Sequence, residues 1–324
     1  PDIRDQVVDF VTHWSNRFDV ITAKQILSGL GVSAGKYHDW KRRYGRENKH
    51  NGQIPRWFWL LPEEKEAIVQ FYLDHRDDGY RRCAYMMIDQ DVAYCSPSTV
   101  YRVLRQEDLL RRWNRSSSSK GDGFKQPSGP HSHWHTDISY VNIGGTFYHL
   151  ITVLDGYSRH ILAWDIRESM KEHDVQIVVQ RAHERYPQAH PRVISDNGKQ
   201  FLARDFRELI RLHGMTHVTT SPYYPQSNGK LERWHKTIKS ECIRPGCPLT
   251  QEDANRMIDK YVHEYNEQRL HSAIGYVTPA DKLAGRAQAV QAERDRKLER
   301  ARDKRRSQSA DPRHSCNGRG LGTA

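Results

Sequence analysis

Trp134-His135-Thr136-Asp137-Ile138-Ser139-Tyr140-Val141-Asn142-Ile143-Gly144-Gly145-Thr146-Phe147-Tyr148-His149-Leu150-Ile151-Thr152-Val153-Leu154 is the stretch on which the fold turns. Two apolar runs, 134 to 143 and 146 to 154, flank Gly144-Gly145, and a third spans 160 to 166. Short runs rich in β-branched and aromatic residues, the first two joined by a two-glycine turn, read as three sequential strands. Downstream the pattern alternates. A helix is expected near 171 to 186, a short strand over Arg192 to Ser195, a helix near 201 to 213 and a strand over Thr216 to Thr220. Two more helices follow, near 228 to 243 and 250 to 268. A three-stranded meander followed by alternating helix and strand implies an α/β domain, a mixed five-stranded sheet flanked by helices.

Three carboxylates stand at legible places in this pattern. Asp137 lies mid-way along the first strand, Asp196 ends the fourth in Val193-Ile194-Ser195-Asp196-Asn197-Gly198, and Glu232 opens a helix in Gly229-Lys230-Leu231-Glu232-Arg233-Trp234. Strand ends and neighbouring helices bring such distant residues to one edge of a sheet. Oxygen-only ligands suit hard Mg²⁺ or Mn²⁺, and two such ions support phosphoryl transfer. Asp155, Asp165, Asp205 and Glu241 compete for the role. Asp155-Gly156 reads as a turn, and Glu241, nine residues past Glu232, falls on the opposite side of an ideal helix. Lys236 and Lys239 share the face of Glu232, with Arg233 and Trp234 flanking it, although Glu with Lys at i+4 also stabilises any solvated helix. The polar segment Thr220 to Gly229, with Tyr224, Gln226 and Asn228, reads as an active-site loop able to grip a strand end. His133, His135, His213 and His217 are left to structural roles.

Upstream the chain is helical. Ile21 to Gly29, the Gly31 turn, the Ser33 cap and a helix carrying Lys41, Arg42 and Arg43 are compatible with a helix-turn-helix. A second such unit combines helices over 63 to 76 and 80 to 91 with one opened by Ser96-Pro97, a cap followed by proline at the first helical position. Ser98, Thr99, Tyr101, Arg102 and Arg105 form its candidate recognition face. A basic, Ser- and Gly-rich linker then precedes the sheet.

A net charge of +11 and a pI near 9.4 favour a polyanionic partner. The last 40 residues hold eleven Lys or Arg against five Asp or Glu, so the tail is either a solvated segment, disordered or a frayed helix, or a DNA contact. The mean hydropathy of -0.87 excludes a membrane protein. The N-terminus carries no secretory pattern, and a cytoplasmic protein is expected. Five cysteines form no CxxC pair, and Cys242-x4-Cys247 lacks a second half for a zinc site.

The Trp134 to Asp137, Ser195 to Gly198 and Asn228 to Lys239 segments, with Tyr265 to Ala280, resemble the retroviral-integrase-type DDE transposases of bacterial insertion sequences. Gly79 to Arg82 through Ser96 to Tyr101 resembles the helix-turn-helix of the insertion sequence three (IS-three) family. The resemblance implies a ribonuclease-H-like core over 131–284 in which Asp137, Asp196 and Glu232 bind two Mg²⁺ ions, with Mn²⁺ able to substitute. It also implies that Lys236 and Lys239 contact the DNA end. The remaining organisation is then helix-turn-helix units at 1–50 and 51–112, a linker at 113–130 and a basic tail at 285–324. The implied activity is binding of terminal inverted repeats in double-stranded DNA, hydrolytic nicking of one strand and attack by the freed 3′-hydroxyl, carried out by a dimer or higher homo-oligomer. Leucine-zipper heptads and the His-His-Cys-Cys zinc domain of retroviral integrases are not recognisable, and the chain begins at Pro1, so a truncated N-terminus and a different mode of assembly both fit. Two other readings stand beside this one: a binding-only DNA regulator with an unused core, and a nuclease of the same fold without strand transfer.

Overall fold

The computed structural model describes residues 2–17, 22–45, 60–110, 126–220 and 229–310. It divides into two units, one formed by 1–59 with 306–324 and the other by 60–305. In the first unit, α1 (Asp2–Arg17), α2 (Ala23–Gly29) and α3 (Ala34–Arg42) enclose Val8, Val11, Leu27 and Tyr37. Thr22 and Gln25 cap the start of α2 reciprocally, and Ser33 accepts from the Lys36 amide at the start of α3. Gly31 takes a φ of +65° in the turn between them, a conformation that costs a residue without Cβ little.

The second unit opens with α4 (Pro62–Asp74), α5 (Tyr80–Asp89) and α6 (Pro97–Gln106), packed around Ile68, Met87, Val100 and Leu104. Ser96 caps α6 by accepting from the Thr99 amide at 3.3 Å. Cys83 and Cys95 are buried in this core.

The sheet follows as β1 (His133–Ile143), β2 (Thr146–Asp155), β3 (Ile161–Arg167), β4 (Arg192–Ser195) and β5 (Thr216–Thr219), in the order β3-β2-β1-β4-β5. The first three are antiparallel, whereas β4 pairs parallel to both β1 and β5. This is the mixed five-stranded sheet expected from the sequence. Gly144 and Gly145 (φ +56° and +91°) make the two-residue hairpin. A Cβ at Gly144 would meet the Leu249 carbonyl oxygen at 2.7 Å.

Alternation along the strands sends side chains to both faces. Ile151 and Val153 join Trp134, Val178 and Phe206 beneath α7 (Glu172–Arg185), α8 (Lys199–Leu202) and α9 (Arg204–Leu212). Leu150 and Leu154 meet Leu231, Trp234 and Ile258 beneath α10 (Gly229–Ile238) and α12 (Gln251–Glu267). Between those two helices the chain forms a π-turn, Lys239–Ile243, and α11 (Arg244–Gly246). Pro245 accounts for it: without an N–H, and with its ring against the carbonyl four residues back, it cannot extend the α-ladder. The Arg244 amide donates to the Lys239 carbonyl instead.

The helix expected at 201 to 213 is two helices broken at Ala203, and the helix expected to reach Asp91 ends at Asp89. After α13 (Pro279–Leu283) the basic tail departs from expectation more clearly. It forms α14 (Ala287–Ala310), whose Arg294, Lys297 and Arg305 pair with Asp89, Asp91 and Glu64 of the preceding helical module. No described helix is long and apolar enough to cross a membrane.

Candidate active site

Sheet register brings the first two carboxylates level. His135 pairs with Ile194 across the parallel β1 and β4 ladder, so Asp137, two residues on, lies beside Asp196, the first residue past β4. The strand-end turn is fixed by its own polar groups. Asp196 Oδ1 accepts from the Gly198 amide at 2.9 Å, and Asn197 Nδ2 donates to the Thr220 carbonyl at 2.9 Å. The Ser195 hydroxyl lies 2.9 Å from both the Asp196 carbonyl and His217 Nε2.

Helix α10 supplies the third carboxylate. Leu231, Trp234, His235 and Ile238 are its buried face, leaving Glu232, Arg233 and Lys236 exposed. Trp234 Nε1 donates to Thr152 Oγ1 at 3.3 Å, and Thr152 is the β2 partner of Asp137. His235 Nδ1 lies 3.7 Å from Asp137 Oδ2. The helix therefore crosses the sheet at the first aspartate.

Electrostatics report the same gathering. Burial pushes the Asp137 carboxyl up to about 6, and the charges of Asp196 and Glu232 push in the same direction, while the Ile138 amide and the Lys239 ammonium oppose them. Lys239 is half-buried and interacts with Asp137. Burial drives His235 down to about 3, so its imidazole is neutral.

The donor set suits a hard divalent cation: three carboxylates, oxygen only, with one aspartate held back from ionisation partly by the other two. Among the described residues, however, no group of three or more His, Cys, Asp or Glu side chains stands close enough to hold a metal ion. Asp137 and Asp196 are set by the sheet, whereas Glu232 is exposed at the helix start.

Three of the four competing acids have other partners, and Asp205 is exposed on α9. Asp155 is fully buried and accepts from the His131 amide and from the Ser158 amide and hydroxyl, shaping the β2 to β3 turn. Asp165 pairs with Arg167 and Arg181. Glu241 accepts from Arg269 and Tyr261, away from Asp137.

Of the residues expected to meet DNA, Ser98, Tyr101, Arg102 and Arg105 are exposed on α6. Thr99 is half-buried, with its hydroxyl near Ser96 and Arg102. Lys41 and Arg42 are exposed on α3, but Arg42 and Arg43 both pair with Asp39. Tyr224, Gln226 and Asn228 lie outside the described residues. Sequence reasoning missed His235 and Lys230. Lys230 Nζ donates to the Gly156 carbonyl at 3.0 Å, and burial lowers its ammonium to about 8. His235 had one usable signal, its position one turn past Glu232 on the face that carries Leu231 and Trp234.

A family model described as integrase core domain matches residues 127–225, and a second with the same description matches 213–279. The chain is 32% identical over 159 residues to an uncharacterized protein of insertion element IS136 from Agrobacterium fabrum, covering 45% of this chain and 79% of that protein. It is 29% identical over 155 residues to the transposase for insertion sequence element IS904 of Lactococcus lactis, covering 47% and 61%. Among solved structures, the HTLV-2 integrase catalytic core domain in complex with magnesium aligns at 19% identity with a TM-score of 0.40, over 48% of this chain and 97% of that one.

Proposed function

Because the chain belongs to the insertion-sequence transposases of the retroviral-integrase-like DDE superfamily, we propose that it binds the terminal inverted repeats of its own element, an IS-three-type element. It nicks one strand at the element end and joins the freed 3′-hydroxyl to a second phosphodiester. What supports this reading is the level placement of Asp137 and Asp196 at one edge of the sheet, with Glu232 of the crossing helix and Lys239 just past its end near enough to act on the Asp137 carboxyl.

Asp137 and Asp196 act as ligands fixed by strand register, and Glu232 completes the set from the helix. Bound Mg²⁺, two ions per site with Mn²⁺ able to substitute, supplies Lewis-acid activation of the attacking and leaving oxygens. Lys236 and Lys239 hold the phosphates flanking the scissile bond, assisted by Arg233. The neutral His235 ring keeps Asp137 packed against α10 without adding a positive charge that would compete with the cation. Hydrolysis leaves a 3′-hydroxyl and a 5′-phosphate, and that hydroxyl then attacks the phosphorus of the second phosphodiester, forming a new P–O bond as that phosphodiester's own 3′-oxygen leaves. The helices at 62–106 read the repeat through Ser98, Thr99, Tyr101, Arg102 and Arg105, and Lys41, Arg42 and Arg43 add a second contact. Two ends are paired by a dimer or higher assembly of this chain.

A binding-only regulator would gain nothing from three carboxylates beside DNA, where they repel phosphate unless cations are present. The test uses repeat-ended duplexes already nicked at the tip. With Mg²⁺, ends bearing a 3′-hydroxyl are expected to give joined products and ends bearing a 3′-deoxy nucleotide none. Equal products from both would contradict strand transfer, and binding without any joining would favour the regulator.

A further inference from the structure

We propose that Tyr276, Tyr85 and Arg294 form a three-tier lock that fixes the second helix-turn-helix to the catalytic core and so sets the reach from recognition helix to scissile phosphate. The proposal about reach rests on the functional reading above, whereas the lock itself does not. Its three members come from three places in one unit: the loop between α12 and α13, helix α5 of the helix-turn-helix, and the C-terminal helix α14. The Tyr85 and Tyr276 rings stack at 4.7 Å with 22° between their planes. The Arg294 guanidinium lies over the Tyr85 ring, 5.0 Å from its centroid.

Each tier is held by something else. Tyr276 has a φ of +57°, a left-handed conformation unfavourable for an aromatic residue. The loop enforces it through a bridge between His271 and Val277, with the Tyr276 amide donating to the His271 carbonyl at 3.0 Å. A strained aromatic whose ring is spent on a neighbouring module points to docking, since glycine would satisfy the backbone alone. Gln291 of α14 donates to the Gly275 carbonyl of the same loop at 2.7 Å. Arg294 is 3% exposed and grips Asp89, at the end of α5, through two bonds of 2.7 and 2.6 Å.

Charge explains why α14 is part of the lock. The helix-turn-helix over 60–110 holds ten Asp or Glu against six Lys or Arg, a poor balance for a module that must approach DNA. The 287–305 part of the tail holds seven Lys or Arg against four Asp or Glu. It places those charges on the acids of the module: Arg294 on Asp89, Lys297 on Asp91 and the Ile88 carbonyl, and Arg305 on Glu64 and the Tyr94 carbonyl. These contacts lie on α4, the end of α5 and the loop after it, and the exposed residues of α6 are not among them. The tail thus neutralises the back of the module and leaves its recognition face open.

The lock is tested first without DNA. In the full chain, with Cys247 and Cys316 replaced by serine, spin labels at Gln106 on α6 and Glu208 on α9 report the distance between module and core. A single narrow distance is expected for the parent and for Tyr276→Phe, which keeps the ring. Loss of that narrow distance is expected for Tyr276→Gly, which removes the ring while relieving the backbone, and for Arg294→Ala. Near-UV circular dichroism checks that the core of each variant is folded. Narrow, parental distances in both Tyr276→Gly and Arg294→Ala would overturn the lock. On a repeat-ended duplex with Mg²⁺, the parent and Tyr276→Phe are expected to nick at one phosphate, and Tyr276→Gly to scatter over neighbouring phosphates. Nicking by Tyr276→Gly at the parental phosphate alone would overturn the role in reach. Absence of nicking in the parent counts against the functional reading, and the distances then decide the lock by themselves.

Discussion

Asp137 carries a sharp consequence at the scale of a single residue. Its carboxyl is raised to about 6 from an ordinary 3.8, so the folded state holds the proton more tightly than the unfolded state. Below about pH 4 both states are protonated and the residue costs nothing. The cost grows as pH rises between the two values and is complete above about 6. Asp137→Asn is therefore expected to be more stable than the parent at pH 7.5 in chelator, by about 1–3 kcal/mol, with the advantage gone at pH 3.5. Denaturant melts at the two pH values check this, and a variant no more stable at the higher pH would contradict the buried, repelled carboxylate. Asn266 makes a comparable prediction for the fold. Its amide bridges the Ile161 N–H and C=O at 2.9 and 3.1 Å in a buried setting, 105 residues away in sequence. Asn266→Ala leaves both groups unpaired and is expected to destabilise the protein by about 2–4 kcal/mol in the same melts.

Elements were legible where local signals and tertiary packing agree. The five strands fall within a residue or two of their expected limits because Gly144-Gly145, the short apolar runs and the buried sheet all demand one register. Asp137 and Asp196 followed from that register. The position of Glu232 in the first turn of α10 was equally readable, but its distance from the other two depends on how α10 seats Trp234 and His235, which no local pattern encodes. The π-turn at Lys239–Ile243 had a visible cause in Pro245, yet its form depends on the packing of Cys242 and Ile243. Helix α14 was the least legible, since it has no apolar stripe and draws its partners from acids some 200 residues upstream. Ser96 offers a test at this scale. Ser96→Ala removes the cap of α6 and is expected to cost about 1 kcal/mol of stability and to weaken repeat binding. Full affinity in a destabilised variant would remove α6 from recognition. Arg102→Ala with Arg105→Ala is expected to lower affinity and flatten its salt dependence, with the slope falling by about one for each phosphate no longer engaged. Unchanged binding isotherms across salt would place the DNA-binding surface elsewhere.

At the scale of the whole molecule, the C-terminal helix touches both the helical module over 60–110 and the loop after α12 of the sheet domain. Arg294, Lys297 and Arg305 are consumed within the protein, while Arg102, Arg105, Arg233 and Lys236 stand exposed. Centrally, Asp137, Asp196 and Glu232 are proposed to act as one phosphoryl-transfer centre. The most direct test is nicking of an end-labelled duplex carrying the repeats that flank the gene, with Mg²⁺, by the parent and by Asp137→Asn, Asp196→Asn and Glu232→Gln in turn. Nicking at the repeat tip is expected from the parent, abolished by EDTA and by each single substitution, with repeat binding retained. Nicking that survives in any one of the three variants would contradict a single centre built from all three carboxylates.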